Sequence, residues 1–292
     1  MKILFSDYKL IRKSDQHVQL GSLIKLIDND GNWGVADICP WPHLGDLKLD
    51  DQIYKKGPLY QRAYFLANKD LLARKNHQKL VDDTAIENNF LVTDYKNLVL
   101  ENETLKIKAN DQIDLLLAYL NKTNQSVIRL DFNSKLTPDQ FSKLVLLLPK
   151  NIEYIEDPTT WNSVLWKTWN QQIPLAFDFV DADPFSNLDS WTYLIIKPSR
   201  QDAEQLINKC LQHKKSFTLT SAMDHPVGFA HGLHYAQKYA QNISGFSTLD
   251  LYEDNEFNSY FQSEKNKVSM KNNSDFGIGM TAALEKLTWT SA

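Results

Sequence analysis

From Met1 to Ile38 the chain runs in apolar, β-forming stretches broken by polar turns. Ile3–Leu10, Val18–Ile27 and Trp33–Ile38 predict antiparallel strands, and Asn29-Asp30-Gly31 is a hairpin turn signal. The pattern then lengthens. Ala63, Leu66, Ala67, Asp70, Leu71 and Arg74 recur at helical spacing, which predicts a helix over Leu59–Lys75 with Pro58 in its first turn. Strands followed by a helix predict a separate α+β unit over residues 1–85.

From about residue 86 short apolar strands alternate with helical segments. The strands are Phe90–Thr93, Thr104–Lys108, Val127–Asn133, Ile152–Asp157, Pro174–Phe179, Tyr193–Pro198, Ser216–Ser221 and Gly245–Asp250. Helices such as Pro138–Leu148 and Arg200–His213 separate most of them. Eight βα repeats predict a closed parallel barrel, a (β/α) TIM-type domain over 86–250 under an α+β capping domain. Those 165 residues fall well short of the roughly 250 typical of the fold. The first βα unit is clipped, with about ten residues between Thr93 and Thr104. The polar tail, 251–292, carries Phe276-Gly277-Ile278-Gly279 and is expected to return to the first unit.

Composition changes the picture mainly by exclusion. A chain of 292 residues that is 42% hydrophobic can bury a sizeable core. Its net charge of −4 and its lack of long basic runs give no reason to expect nucleic acid. Leu144–Leu148, an apolar run, is far too short to span a bilayer, and the N-terminus lacks the apolar core of a signal peptide. Cys39 and Cys210 make no disulfide framework and read as reduced residues of a cytoplasmic protein. Separately, a monomer or weak homo-oligomer is expected.

The chemistry sits at the predicted strand ends. Asp131, Glu156 and Asp178 close three consecutive strands, at steps of 25 and 22 residues, one βα unit each. Neighbouring strand ends share one barrel mouth, and three carboxylates there repel without a cation between them. Hard oxygen donors with open positions favour Mg²⁺. Lys108 ends the preceding strand and Lys197 the following one, so two ammonium groups face each other across the carboxylates. A metal cation and a second ammonium both disfavour the charged lysine, which lets it act as a base near neutral pH. Alternation along a strand puts Lys106 on the face of Lys108, and Arg129 on that of Asp131. Arg129, one layer deeper, is expected to brace the carboxylates. Any one of these residues alone is an ordinary turn former, cap or solvated lysine. Five in five successive units carry the argument.

Other features read as structure. His225, His231 and His234 invite a zinc site but have no accompanying cysteine or carboxylate spacing. Trp161, Trp166 and Trp169 suit helix packing. Trp41–Asp46 and Gln16–Gly21 are expected as loops over the mouth.

The set Lys106-x-Lys108, Asp131-x-Asn133, Glu156-Asp157-Pro158, Asp178 and Lys197 resembles the muconate-lactonizing subgroup of the enolase superfamily, over nearly the whole chain. Within it the o-succinylbenzoate synthase family, of menaquinone biosynthesis, is the most similar. The matching pieces are Ile128-Arg129-Leu130-Asp131-Phe132-Asn133, Ile196-Lys197-Pro198-Ser199 and Ser247-Thr248-Leu249-Asp250-Leu251. The last lacks the Asp-x-Asp pattern of dipeptide epimerases. The chain departs from its relatives where Phe179 follows Asp178 in place of Glu, and where Thr218–Asp224 lacks the usual Ser-rich run and Glu.

The resemblance implies dehydration of 2-succinyl-6-hydroxy-2,4-cyclohexadiene-1-carboxylate through an enediolate. Mg²⁺ would rest on Asp131, Glu156 and Asp178, with Lys108 as base and acid and Lys197 over the enediolate. Lys106, Asn133 and Ser221 would contact this small carboxylate substrate. Two rivals stand beside this reading: a racemase, epimerase or lactonizing enzyme with the same five residues, and a non-catalytic barrel that only binds.

Overall fold

The computed structural model describes residues 1–94, 104–123, 126–178, 183–271 and 274–291. The chain opens with an antiparallel sheet of β1 (Lys2–Ile11), β2 (Val18–Ile27) and β3 (Trp33–Ile38), in that order. The β2–β3 turn closes where expected. The Asp28 carboxylate accepts from the Asp30 and Asn32 amides at 2.9 Å, and Gly31 takes a φ of 87°.

Two helices follow, α1 (Leu49–Tyr54) and α2 (Pro58–Lys75). The apolar stripe of α2 lies on β3, and Gly34 allows the close approach. A Cβ there would lie 2.1 Å from the Leu71 nitrogen and 2.2 Å from the Ala67 oxygen. Asp70, on the same stripe, is fully buried. It accepts from Val35 N at 2.9 Å, Ile278 N at 2.7 Å and Arg74 Nε at 2.9 Å, which ties strand, helix and C-terminal tail together.

After a two-residue strand, β4 (Ile86–Glu87), the chain builds the barrel. Its elements are β5 (Phe90–Val92), β6 (Thr104–Lys108), α3 (Ile113–Leu120), β7 (Val127–Asp131), α4 (Pro138–Val145), β8 (Ile152–Glu156), α5 (Ser163–Asn170), β9 (Leu175–Phe177), β10 (Tyr193–Ile196), α6 (Ala203–Gln212), β11 (Ser216–Leu219) and α7 (Pro226–Tyr239). Strands β5 to β11 form one parallel sheet in sequence order. The short connection expected after Thr93 falls largely outside the described residues, as does Phe179.

The eighth strand differs from expectation. Only residues 244–245 bridge, and Leu249–Leu251 is a 3₁₀ turn. Those two residues still join the two ends of the sheet. Gly245 N donates to Leu219 O at 2.9 Å on one side, and Asn89 N donates to Ser244 O at 2.9 Å on the other. Beyond them a side chain replaces the ladder. Asn88 Nδ2 donates to Phe246 O at 3.2 Å, and Asn88 Oδ1 accepts from Phe246 N at 2.5 Å. A side-chain amide that supplies both a donor and an acceptor can stand in for one strand residue.

The tail adds β12 (Phe261–Glu264) and β13 (Lys267–Met270), which pairs with β4, and then α8 (Thr281–Leu284). Gly277 exchanges backbone bonds with residues 78–80, Arg74 Nη2 donates to Gly279 O at 2.8 Å, and Phe5 and Thr290 exchange a backbone pair at 2.8 and 2.9 Å. The tail therefore packs on the opening sheet and helix. Among the described residues no helix is long and apolar enough to cross a membrane.

Candidate active site

The barrel strands present a common inward row. In register, Lys106 is level with Arg129, and Lys108 with Asp131 and Glu156. Glu156 is level with Ala176, so Asp178 stands two residues further along. Tyr193 is also level with Ala176, so Lys197 stands four further. A tilted barrel turns this climb in register into equal height at the mouth. That is why residues at strand ends of uneven length reach one cavity.

The cavity encloses about 330 Å³ at that mouth. Lys106, Lys108, Asn133, Glu156, Asp178, Lys197 and Ser221 all line it. Asp131 lies just beneath, fully buried. Lys106 Nζ sits 2.7 Å from Glu156 Oε2 and 3.0 Å from Asp131 Oδ2, and Lys108 Nζ sits 2.5 Å from Asp131 Oδ2. Lys197 Nζ pairs with the Asp178 carboxylate. Burial works against the Lys106 ammonium, but Asp131 and Glu156 outweigh it and hold its pKa well above the lysine range. Burial likewise opposes ionisation of Asp131, but Lys106 and Lys108 hold it low. Glu156 is pushed well up, by burial and then by the charge of Asp131.

These contacts bear on whether the site suits a metal. With Lys106 between two of the carboxylates and Lys197 on the third, no three acidic, histidine or cysteine side chains converge on one point among the described residues. The donor set nevertheless suits a hard divalent cation. Glu156 and Asp178 line the cavity, and Asp131 lies buried just beneath them, three carboxylates from neighbouring strand ends.

The rim is conformationally restrained. Asn133, Ser134, Asp157 and Met223 line the cavity with positive φ, at 46°, 58°, 39° and 55°. Such backbone is uncommon for residues with a Cβ and persists where surrounding packing enforces it. Of the two loops expected over the mouth, 41–46 reaches it through Trp41 and Leu44. Residues 18–21 belong to β2 instead, and none of 16–21 lines the cavity.

Arg129 also differs from expectation. It is fully buried, but its ion pair at 2.6 Å is with Glu153, and its second contact is Asn89 Oδ1 at 3.4 Å. The histidines are occupied by backbone: His225 Nδ1 accepts from Val227 N, His231 Nε2 meets Val35 O, and His234 Nδ1 meets Leu80 O. Trp166 is buried, with Trp161 and Phe177 edge-on to each other and to it. Asn89 and Arg200, not among the residues expected at the site, also line the cavity, and so do Thr248 and Leu251 of the Ser247–Leu251 motif. The sequence signal for Asn89 and Arg200 is only nearness to a strand.

An antiparallel cap over a parallel barrel, with its mouth ringed by carboxylates and lysines, defines the class: this is the enolase-superfamily fold. A dipeptide epimerase from Cytophaga hutchinsonii, complexed with Mg and D-Ala-L-Val, superposes with a TM-score of 0.78 at 14% identity, covering 99% of this chain and 98% of that one. A muconate lactonizing enzyme from Mucobacterium Smegmatis gives 0.76 at 12% identity, with 100% of both chains covered. Residues 3–73 match the N-terminal domain of O-succinylbenzoate synthase. The o-succinylbenzoate synthase of Bdellovibrio bacteriovorus is 31% identical over 300 residues, covering 92% of this chain and 90% of that protein. The chain belongs to the o-succinylbenzoate synthase family.

Proposed function

We propose that this protein dehydrates 2-succinyl-6-hydroxy-2,4-cyclohexadiene-1-carboxylate to o-succinylbenzoate. The observation that carries the choice of substrate is the wall opposite the charged residues. There Thr220, Ser221, Ser247, Thr248 and Leu251 line the cavity, while Asp250 is exposed outside it. Among the described residues this wall has no acid to hold an ammonium group. A substrate with a second carboxylate meets hydroxyls there instead of repulsion.

Mg²⁺ held by Asp131, Glu156 and Asp178 would supply Lewis-acid charge toward the ring carboxylate. The remaining work falls to side chains. Lys108 takes the proton α to that carboxylate onto Nζ. It then returns the proton to the hydroxyl on the same face of the ring, so the C–O bond breaks and water leaves. Lys197 holds its ammonium over the enediolate, where negative charge develops. Lys106, fixed between Asp131 and Glu156, adds positive charge at the cavity floor, and Asn133 and Ser221 contact the substrate. The ring becomes aromatic, so the elimination asks little of the protein. Residues 1–85 and 251–292 act as the cap, since Trp41, Leu44 and Leu251 complete the cavity wall, and 86–250 act as the barrel.

The test is turnover of the cyclohexadiene by the purified protein with Mg²⁺, followed as loss of diene absorbance. Solvent deuterium entering an L-Ala–L-Glu dipeptide faster than this dehydration would overturn the choice of substrate.

A further inference from the structure

Two adjacent asparagines at the start of the first barrel strand do different jobs. Asn88 turns to the eighth segment and replaces its ladder, as described above. Asn89 turns inward and lines the cavity, although only 3% of it is exposed. Its backbone is held on both sides by the eighth segment. Asn89 N donates to Ser244 O at 2.9 Å, and Ser247 Oγ donates to Asn89 O at 2.7 Å.

The orientation of the Asn89 amide follows from its other partner. Arg129 is a pure donor, so the group it meets at 3.4 Å must be the amide oxygen, and the amide nitrogen points away from it. Among the described residues no protein acceptor takes the two Nδ2 hydrogens. The guanidinium beneath also polarises the amide and strengthens it as a donor. Arg129 itself is fully buried and cannot reach a ligand. The arrangement passes part of a buried positive charge to a neutral donor that lines the cavity beside Ser247 of the hydroxyl wall.

We infer that Asn89 is a binding residue for the second acidic arm of the substrate, donating Nδ2–H to oxygens of the succinyl group. This rests on the dehydration reading. The ring carboxylate is drawn to the lysine side of the cavity, and the arm then spans to the neutral side. An uncharged donor binds an anionic oxygen there without competing for the ring carboxylate.

The experiment measures affinity for o-succinylbenzoate and for benzoate, which lacks the arm, by calorimetry on the full chain with Mg²⁺. Wild-type protein should bind o-succinylbenzoate more tightly. Asn89→Asp, nearly the same shape but without the donors, and Asn89→Ala should each weaken o-succinylbenzoate about tenfold or more, the loss of a hydrogen bond to a charged group. Benzoate should stay within about twofold of wild type in both variants, and KM should rise with kcat nearly unchanged. Equal loss for both ligands would show a merely structural residue, and no loss for either would show no contact. Both results sink this inference alone. A wild-type protein that does not distinguish the two ligands would sink the dehydration reading and this inference with it.

Discussion

His231 offers a direct test of how the cap is held on the barrel. It lies on α7, and its Nε2 meets the Val35 carbonyl of β3 at 2.9 Å across the joint. A carbonyl only accepts, so Nε2 carries the hydrogen, and burial favours the neutral ring. Burial, the largest influence, pushes the His231 pKa down to about 3 from 6.5. The unfolded chain takes up this proton as pH falls below about 6.5, and the fold refuses it until about 3. Stability is therefore complete above the unfolded value and is lost on acidification, by about 1.4 kcal/mol per unit once well below it. His231→Gln keeps an amide N–H for Val35 and has no such titration. Between about pH 7.5 and about pH 5.5 the wild type should lose about 1.4 kcal/mol relative to this variant. Equilibrium urea melts of both proteins at both pH values measure it. The comparison cancels the opposing titrations of Asp37 and Glu156, both raised by burial and by a neighbouring acid. A deficit for His231→Gln that does not change with pH would show that His231 is not held neutral, and would refute the reasoning.

Three further outcomes are expected. Lys108→Ala should abolish dehydration, by about 10²-fold or more, while Mg²⁺ binding persists; near-normal turnover would remove Lys108 from the role of base. Asp131→Asn, which removes a charge with little change of volume, should weaken Mg²⁺ binding in a calorimetric titration, and unchanged affinity would take Asp131 out of the ligand set. Gly34→Ala should lower stability by about 1–3 kcal/mol or prevent folding, because the new Cβ would collide with the backbone of α2 at Ala67 and Leu71. An unaltered thermal melt would mean that β3 and α2 can separate at little cost.

What the chain determined by itself is what short-range periodicity can carry. Strands β1 to β3 and helix α2 form where β-forming stretches and helical spacing put them. In the barrel, alternation with period two put Lys106 with Lys108 and Arg129 with Asp131, and the register agrees. The apolar strand endings led to Asp131, Glu156, Asp178 and Lys197 because barrel geometry makes a strand end and a mouth the same place.

Only the tertiary structure decided the partners. Gly245–Asp250 has the look of a strand, yet the bridging stops at Gly245, where Asn88, 158 positions from Phe246, takes over the hydrogen bonds of Phe246. Arg129 carries no mark in the sequence that assigns it to Glu153 and Asn89 and not to the carboxylates above it. Likewise nothing local says that Asp250 leaves the cavity while Leu251 enters it. Periodicity reports which face a side chain occupies. The groups it then meets depend on barrel closure, stagger and the return of the tail, which bring together residues that no spacing rule connects.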